Sequence, residues 1–197
     1  MNIFKPKLKD FIYCKKRGLS KDKCDLIIET FENRKKYTAG SLGDGDIRQE
    51  FKLCVEEFVG STEANPYNNL FLNELEFALE EYKKEYSFIN EINQWNLFQS
   101  YKIQRYFPNE AFFGLHCETD GSYKKYPINS DRVLTWMIYL NDVTEGGETE
   151  FPTQNKLMKA RAGNIIIWPP YWTHPHKGIV SKTQTKYIMT GWWNYYC

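Results

Sequence analysis

From about residue 97 the chain changes from helical to strand-like patterning, and this change constrains the fold more than any other feature of the sequence. Short segments rich in β-branched and aromatic residues are separated by Gly, Pro, Asn and Asp, as in strands joined by turns. In chain order the predicted strands are FQSYKIQRYF, RVLTWMIYLND, EGGETEF, GNIIIWPP and TKYIMTGWWNYY. Several short strands that follow a helical segment predict an α+β chain whose second half is a barrel or jelly roll.

Residues 1–96 are predicted to be mainly helical. The segment that begins at Ser20, a good N-cap residue, places most of its apolar residues on one helical face. The clearest helical pattern is NNLFLNELEFALEEYKKEYSFI. The segment FKLCVEEFV is compatible with either a strand or a short helix. No linker or internal repeat separates the two halves, so residues 1–197 are expected to form a single domain, with residues 97–197 as its strand-rich core.

The charge balance argues against two classes of partner. Lys and Arg total 26 against 25 Asp and Glu, a net charge of +1, which gives no basis for binding nucleic acid or a membrane surface. The sequence has no apolar run of membrane-spanning length and no apolar signal segment near its start. Five cysteines without a CxxC pair favour a reduced, cytoplasmic protein.

The three histidines fall in two short clusters, GLHCETDG and YWTHPHKG. On an extended segment, residues i and i+2 point to the same face, so the side chains of His116 and Glu118 can converge on one point. With a third ligand from a neighbouring strand, they would form the two-histidine, one-carboxylate arrangement of non-haem Fe(II) oxygenases. The alternative is a surface histidine beside a solvated carboxylate.

Further motifs follow this pair in a fixed order. RVLTWMIYLND has a tyrosine before Leu-Asn, Gly146 and Gly147 form a Gly-Gly turn, and His176 stands in HKG. Ten residues after His176, the final strand begins as KYIMTGW. In these motifs residues 97–195 resemble the 2-oxoglutarate- and Fe(II)-dependent oxygenases, specifically the prolyl 4-hydroxylase-like branch and its small viral and bacterial forms.

This resemblance implies a double-stranded β-helix, a jelly-roll or cupin-like barrel, with the N-terminal helices packed on its outside. It implies Fe(II) as the metal, 2-oxoglutarate as cosubstrate and L-ascorbate as a supporting reductant. The implied metal ligands and catalytic residues are His116, Glu118 and His176. For the far carboxylate of 2-oxoglutarate, the resemblance implies Lys186 and Tyr139 as ligands and Tyr106 in the site wall. Even spacing places Thr190 and Trp192 on the same strand face as Lys186, where either could line the pocket.

Two ligand assignments have a competitor. Asp120 shares the face of His116 but lies about 13 Å further along an extended strand, so it needs a turn at Gly121 to return. His174 shares a face with His176, but only His176 stands ten residues before Lys186, the spacing in the resembled family. His174 is then a neighbour that orients other groups, or an ordinary hydrogen-bonded histidine.

The implied reaction is hydroxylation of a C–H bond with decarboxylation of 2-oxoglutarate to succinate, and O2 as the oxidant. A proline-rich peptide or protein is the implied substrate, which the aromatic residues Trp168, Tyr171 and Trp172 could grip. Residues 120–132 could form a loop over it. Other classes remain open: an oxygenase of a small metabolite or another side chain, or a non-catalytic cupin-like metal-binding module. If the chain is viral, the expected location is the cytoplasm of the host cell. The oligomeric state is not predicted.

Overall fold

The computed structural model describes residues 9–43, 45–60, 65–119 and 130–195. The helices are α1 (Lys21–Arg34) and α2 (Asn68–Glu85), and the strands are β1 (Tyr13–Lys15), β2 (Thr38–Ala39), β3 (Val55–Val59), β4 (Trp95–Tyr106), β5 (Arg132–Tyr139), β6 (Thr149–Phe151), β7 (Lys156–Met158), β8 (Ile165–Trp168), β9 (Lys177–Gly178) and β10 (Lys186–Tyr195). Neither described helix combines the length and apolar composition needed to cross a bilayer.

The strands form two antiparallel sheets that enclose an apolar interior. The large sheet has the order β1-β8-β5-β10-β4-β3-β2, and the small sheet has the order β7-β6-β9. Phe151 and Met158 from the small sheet pack with Met137, Ile166 and Ile188 from the inner face of the large sheet. Two sheets closed on a shared core form the predicted jelly-roll barrel.

Alternation along the strands divides the large sheet into two different faces. Ile103, Trp136 and Met189 point outward and pack with residues of both helices. Lys102, Gln104 and Tyr106 on β4 point inward, as do Lys186, Ile188 and Thr190, their partners in the antiparallel register with β10. The helices therefore lie outside the barrel, as predicted, and the inner face is left for a site.

The helix ends follow local chemistry. The Ser20 side chain accepts a hydrogen bond from the backbone N–H of Lys23, and α1 ends where Lys35 adopts a left-handed conformation with φ of 52°. Cys24, Ile27 and Phe31 form the buried stripe of α1. In α2 the buried stripe consists of Phe71, Leu75, Ala78, Leu79 and Tyr82.

Residues 1–96 contain short strands as well as the two helices. The ambiguous segment FKLCVEEFV contains strand β3, which pairs with β4, and β2 extends that edge of the sheet. At the opposite edge β1 pairs with β8. A strand of three residues has no periodicity of its own, because it is stabilised by its partner strand rather than by local preference.

A first prediction concerns the junction between the helices and the barrel. Trp136 is fully buried, with its ring 5.4 Å from Phe71 of α2 and 6.0 Å from Tyr101 of β4, measured between centroids. Trp136→Ala is expected to lower the free energy of unfolding by about 3–5 kcal/mol, because it opens a large cavity there. Chemical denaturation followed by circular dichroism measures this. A loss below about 1 kcal/mol would contradict the importance of this contact.

Candidate metal centre and its cavity

Three potential metal ligands lie together at the mouth of the barrel. The backbones of His116 and His176 form an isolated antiparallel bridge, with N–H to O distances of 3.0 and 2.8 Å. Oε1 of Glu118 lies 3.4 Å from Nε2 of His176 and 3.9 Å from Nε2 of His116. The three ligand atoms all lie within 4.8 Å of one another, so one ion could contact all three.

Hydrogen bonds fix the tautomer of both imidazoles. Nδ1 of His116 is 2.9 Å from the carbonyl oxygen of Gly114, and Nδ1 of His176 is 3.0 Å from that of His174. Because a carbonyl only accepts, both Nδ1 atoms carry the proton and both Nε2 lone pairs remain available to a metal. Burial, together with the neighbouring His176, lowers the pKa of His116 to about 3, which keeps it neutral.

Two residues from the large sheet orient the carboxylate of Glu118. Nε1 of Trp192 donates to Oε2 at 3.0 Å, and the guanidinium of Arg132 donates to the backbone carbonyl and lies 3.4 Å from Oε2. The guanidinium also stacks 3.8 Å from the ring of Trp192. Burial raises the pKa of Glu118, but the neighbouring His176 and the charge of Arg132 outweigh it, so the net pKa is well below its ordinary range.

A second prediction tests this orientation. Trp192→Phe keeps an aromatic ring but removes the N–H that holds Oε2 of Glu118, so we expect Fe(II) affinity to fall about tenfold. Anaerobic titration with Fe(II) measures the change. Trp95→Phe is the matched control, because Trp95 packs with the outer core cluster and does not line the cavity, and it should bind as the wild type does. Equal affinities of the two variants would exclude the proposed role of the indole N–H.

A cavity of about 830 Å³ extends from the three ligands into the barrel. Lys186 lies in its wall with only 5% of its surface exposed. Its ammonium lies 4.8 Å from the ring of Tyr106 and 3.3 Å from the carbonyl oxygen of Gly147, and no carboxylate of the described residues pairs with it. Burial lowers the pKa of Lys186 to about 8. A desolvated ammonium of this kind favours an anionic ligand.

Tyr139, which the sequence assigns to the cosubstrate carboxylate, lies behind the cavity wall. This residue is fully buried and does not line the cavity. Its hydroxyl is 2.7 Å from Oγ1 of Thr149 and 2.9 Å from the carbonyl oxygen of Met158. Thr149 does line the cavity, so its side chain lies between the hydroxyl of Tyr139 and the cavity.

The other predicted pocket residues lie in the cavity wall. Tyr106 donates from its hydroxyl to Oε1 of Gln104 at 3.0 Å, and Thr190 donates to the carbonyl oxygen of Trp136 at 2.9 Å. Trp192 lines the wall but contacts Glu118, so its position is that of a residue that orients a metal ligand.

The structure describes one of the two competing ligand candidates, His174, but not the other, Asp120. Nε2 of His174 lies 2.9 Å from the carbonyl oxygen of Asp10, and its Nδ1 lies 2.9 Å from the Thr173 hydroxyl, so both nitrogens are engaged away from the triad. Asp120 lies outside the described residues, as does most of the segment 120–132.

Aromatic residues surround the imidazoles. Phe112 stacks on His116 with ring centroids 3.6 Å apart, while Trp168 and Phe151 pack 5.1 and 5.3 Å from His176. These apolar walls keep the imidazoles desolvated. Two imidazole nitrogens and one carboxylate oxygen suit Fe(II) and leave coordination positions open. The donor set and the unpaired ammonium in the same cavity therefore fit a ferrous ion and an anionic chelator.

The model of the 2OG-Fe(II) oxygenase superfamily matches residues 101–194, which contain the triad and Lys186. This match confirms the predicted family and its cofactors, Fe(II) and 2-oxoglutarate. Among curated proteins, a procollagen-lysine,2-oxoglutarate 5-dioxygenase of Gallus gallus is 27% identical over 169 residues, 84% of this chain and 21% of that protein. A putative prolyl 4-hydroxylase of Acanthamoeba polyphaga mimivirus is 27% identical over 103 residues, 46% of this chain and 43% of that protein. The chain thus spans less than half the length of either relative.

Among solved structures, a viral collagen prolyl hydroxylase from Paramecium Bursaria Chlorella virus-1, in complex with 2OG, aligns with a TM-score of 0.69. The two sequences are 20% identical, and the alignment covers 95% of this chain and 97% of the other. This likeness extends over both the helices and the barrel and confirms the predicted double-stranded β-helix. Residues 101–194 are therefore a domain of the 2OG-Fe(II) oxygenase superfamily, within a chain that has the fold of a prolyl hydroxylase.

Proposed function

We propose that this chain is an Fe(II)- and 2-oxoglutarate-dependent dioxygenase that hydroxylates a peptidyl proline. One observation carries the proposal: three metal-binding side chains and a buried, unpaired lysine lie in the wall of one cavity. The names of the relatives support a peptide substrate, since they include collagen and procollagen hydroxylases.

In this proposal His116, Glu118 and His176 hold Fe(II), and Lys186 pairs with the far carboxylate of 2-oxoglutarate. When bound, the metal and cosubstrate supply O2-dependent C–H hydroxylation coupled to decarboxylation of 2-oxoglutarate to succinate. The protein supplies orientation: the Nδ1 hydrogen bonds aim both imidazoles, and Trp192 with Arg132 holds Glu118. A carboxylate ligand leaves no position for a halide, which favours hydroxylation over halogenation.

The rim of the cavity supports a proline-containing substrate. Phe51, Phe58 and Trp172 line the cavity yet remain exposed, Trp172 at 80%. Exposed aromatic rings beside an active site are a surface on which proline-rich peptides dock. Of the other two aromatics expected to grip the peptide, Trp168 is buried against His176 and Tyr171 is partly exposed outside the cavity wall.

The proposal is tested in two stages. Anaerobic addition of Fe(II) and 2-oxoglutarate should produce a visible charge-transfer band, which a His116→Ala variant should lack. In air, proline-rich peptides should raise succinate formation above the peptide-free rate and gain the mass of one oxygen atom. A band without stimulation by any peptide would exclude the peptidyl-proline substrate, and the absence of a band would exclude the oxygenase.

A further inference from the structure

The cavity wall carries more positive charge than iron and 2-oxoglutarate use. Among the residues that the structure describes, six cationic side chains line it, against a single carboxylate, that of Glu118. The cations are Arg48, Lys52, Lys102, Arg132, Lys177 and Lys186. Arg132 serves Glu118, Lys177 pairs with Glu150 at 3.3 Å, and Lys186 is assigned above to 2-oxoglutarate. Lys52 and Lys102 belong to none of these functions.

Lys52 and Lys102 share one carboxylate, and we call Lys52, Glu56 and Lys102 the lysine cluster. The ammonium of Lys52 lies 2.5 Å from Oε2 of Glu56, and that of Lys102 lies 2.7 Å from Oε1. Gln104 and Ser41 also donate to the carboxylate, at 2.8 and 3.0 Å. Burial raises the pKa of Glu56, but the charges of Lys52 and Lys102 outweigh it and lower the pKa to about 2. The carboxylate is therefore ionised and its oxygens are fully occupied.

The cluster thus has a net charge of +1 in a poorly solvated position. Lys52 and Glu56 are 3% and 4% exposed, and the Lys102 side chain is 16% exposed. Burial, and the charge of Lys52, lower the pKa of Lys102. An excess cation at low dielectric is stabilised by an anion, and the cavity that Lys52 and Lys102 line is a route by which an anion can reach them.

The cluster lies beside the metal ligands but apart from Lys186. Lys102 is the register partner of Thr190 across β4 and β10, and both line the cavity. The ammonium of Lys52 lies 5.5 Å from the ring of Phe112, and the same ring stacks on His116. Lys186 pairs with Tyr106, four residues from Lys102 and about 13 Å along the strand. The cavity wall therefore carries two separate groups of lysines, the lysine cluster and Lys186, and only Lys186 is assigned to the cosubstrate.

We infer that the lysine cluster binds a carboxylate of the substrate. The inference rests on the proposed function and refines it: the preferred substrate is a proline-containing peptide with an acidic side chain, or a free C-terminal carboxylate, close to the hydroxylated residue. The exposed rings of Phe51 and Phe58, which flank the cluster in sequence, contact the apolar part of the same peptide.

Peptides of equal length and proline content test this. One series moves a single Glu through the positions on either side of the proline, with both termini blocked, and matched series carry Gln or Lys instead. A blocked Gln peptide with its C-terminus freed tests the second source of the carboxylate. Hydroxylation gives kcat/KM, and calorimetry of the Fe(II)-loaded protein without O2 gives Kd.

At the best position we expect Glu to exceed Gln by about tenfold in both kcat/KM and affinity, with Lys below Gln, as for a charge-assisted hydrogen bond. Added salt should reduce this ratio. If freeing the C-terminus raises kcat/KM and affinity instead, the lysine cluster binds the terminal carboxylate of the peptide. Equal values for Glu, Gln and the freed terminus at low salt would overturn the inference.

Substitutions assign the effect to the cluster. Lys102→Met should reduce the ratio of kcat/KM for the Glu peptide to that for the Gln peptide to about one. Glu56→Gln should enlarge this ratio, because removing the carboxylate leaves both lysine charges available to the ligand. Lys182→Met, an exposed lysine outside the cavity wall, should keep the ratio. A ratio that survives in Lys102→Met would overturn the assignment. Failure of the proposed function is distinguishable, because it abolishes turnover of every peptide while calorimetry still measures the ratio.

Discussion

His176→Ala is expected to lose at least about a hundredfold in Fe(II) affinity, whereas His174→Ala loses less than about tenfold. The imidazole of His176 supplies one of three ligand atoms, and its removal leaves a two-ligand site. The side chain of His174 does not face the triad. What His174 gives the site is its backbone carbonyl, which accepts from Nδ1 of His176, and alanine keeps that group.

His174→Ala should act on stability rather than on the metal site. The imidazole of His174 bonds to the carbonyl of Asp10 and to the hydroxyl of Thr173, and it is buried. His174→Ala should therefore lower the free energy of unfolding by about 1–3 kcal/mol, because buried partners are left unsatisfied. Anaerobic Fe(II) titration and chemical denaturation of both metal-free variants measure the two effects. Greater loss of iron affinity in His174→Ala would overturn the ligand assignment.

The sequence predicts the metal ligands better than it predicts how they are held. The i,i+2 relation of His116 and Glu118 is local, so it can be read from spacing, although the structure has an isolated bridge and a bend there rather than a regular strand. The groups that orient Glu118 come from β5 and β10, 14 and 74 residues away. Arg132 has no motif of its own, and its position at the start of a fully buried strand is the only signal in the sequence.

Alternation predicts the face of a residue but not its depth. Tyr139 does lie on the inner face, as the register partner of Ile188. Whether its hydroxyl reaches a ligand depends on the small sheet, where Thr149 and the carbonyl of Met158 engage it. The packing distance between two sheets is set by long-range contacts, so the sequence pattern could not exclude this tyrosine from the pocket wall.

The sequence pattern also does not identify which charged residues are buried, because their burial depends on long-range contacts. In β3 the two adjacent acids point to opposite faces, and both are buried. Glu56 meets the lysines of the cluster, while Glu57 accepts from Arg34 and from the hydroxyl of Tyr67. A charged residue in a short strand is usually solvated, and only its distant partners identify the exception.

Lys186→Met is expected to raise the Kd for 2-oxoglutarate by at least about a hundredfold. A buried carboxylate that loses its charged partner retains its desolvation cost, so about 3 kcal/mol is lost, more than an exposed ion pair contributes. Calorimetry of the Fe(II)-loaded protein without O2 measures the change. Lys186→Arg restores a positive charge and should recover part of the affinity, whereas Fe(II) affinity should be similar in all three proteins.

The same lysine should make cosubstrate binding depend on pH. Burial lowers its pKa from the ordinary 10.5 to about 8, so in the ligand-free protein the ammonium is present below pH 8 and lost above it. If the far carboxylate of 2-oxoglutarate pairs with the ammonium form, the Kd should be nearly constant below about pH 7, about twofold higher at pH 8, and should then approach a tenfold rise per pH unit. In Lys186→Arg the Kd should stay constant over this range, since a guanidinium remains charged. A wild-type Kd that does not change between pH 7 and 9.5, or an Arg variant that follows the wild-type curve, would exclude Lys186 as the cosubstrate's cationic partner.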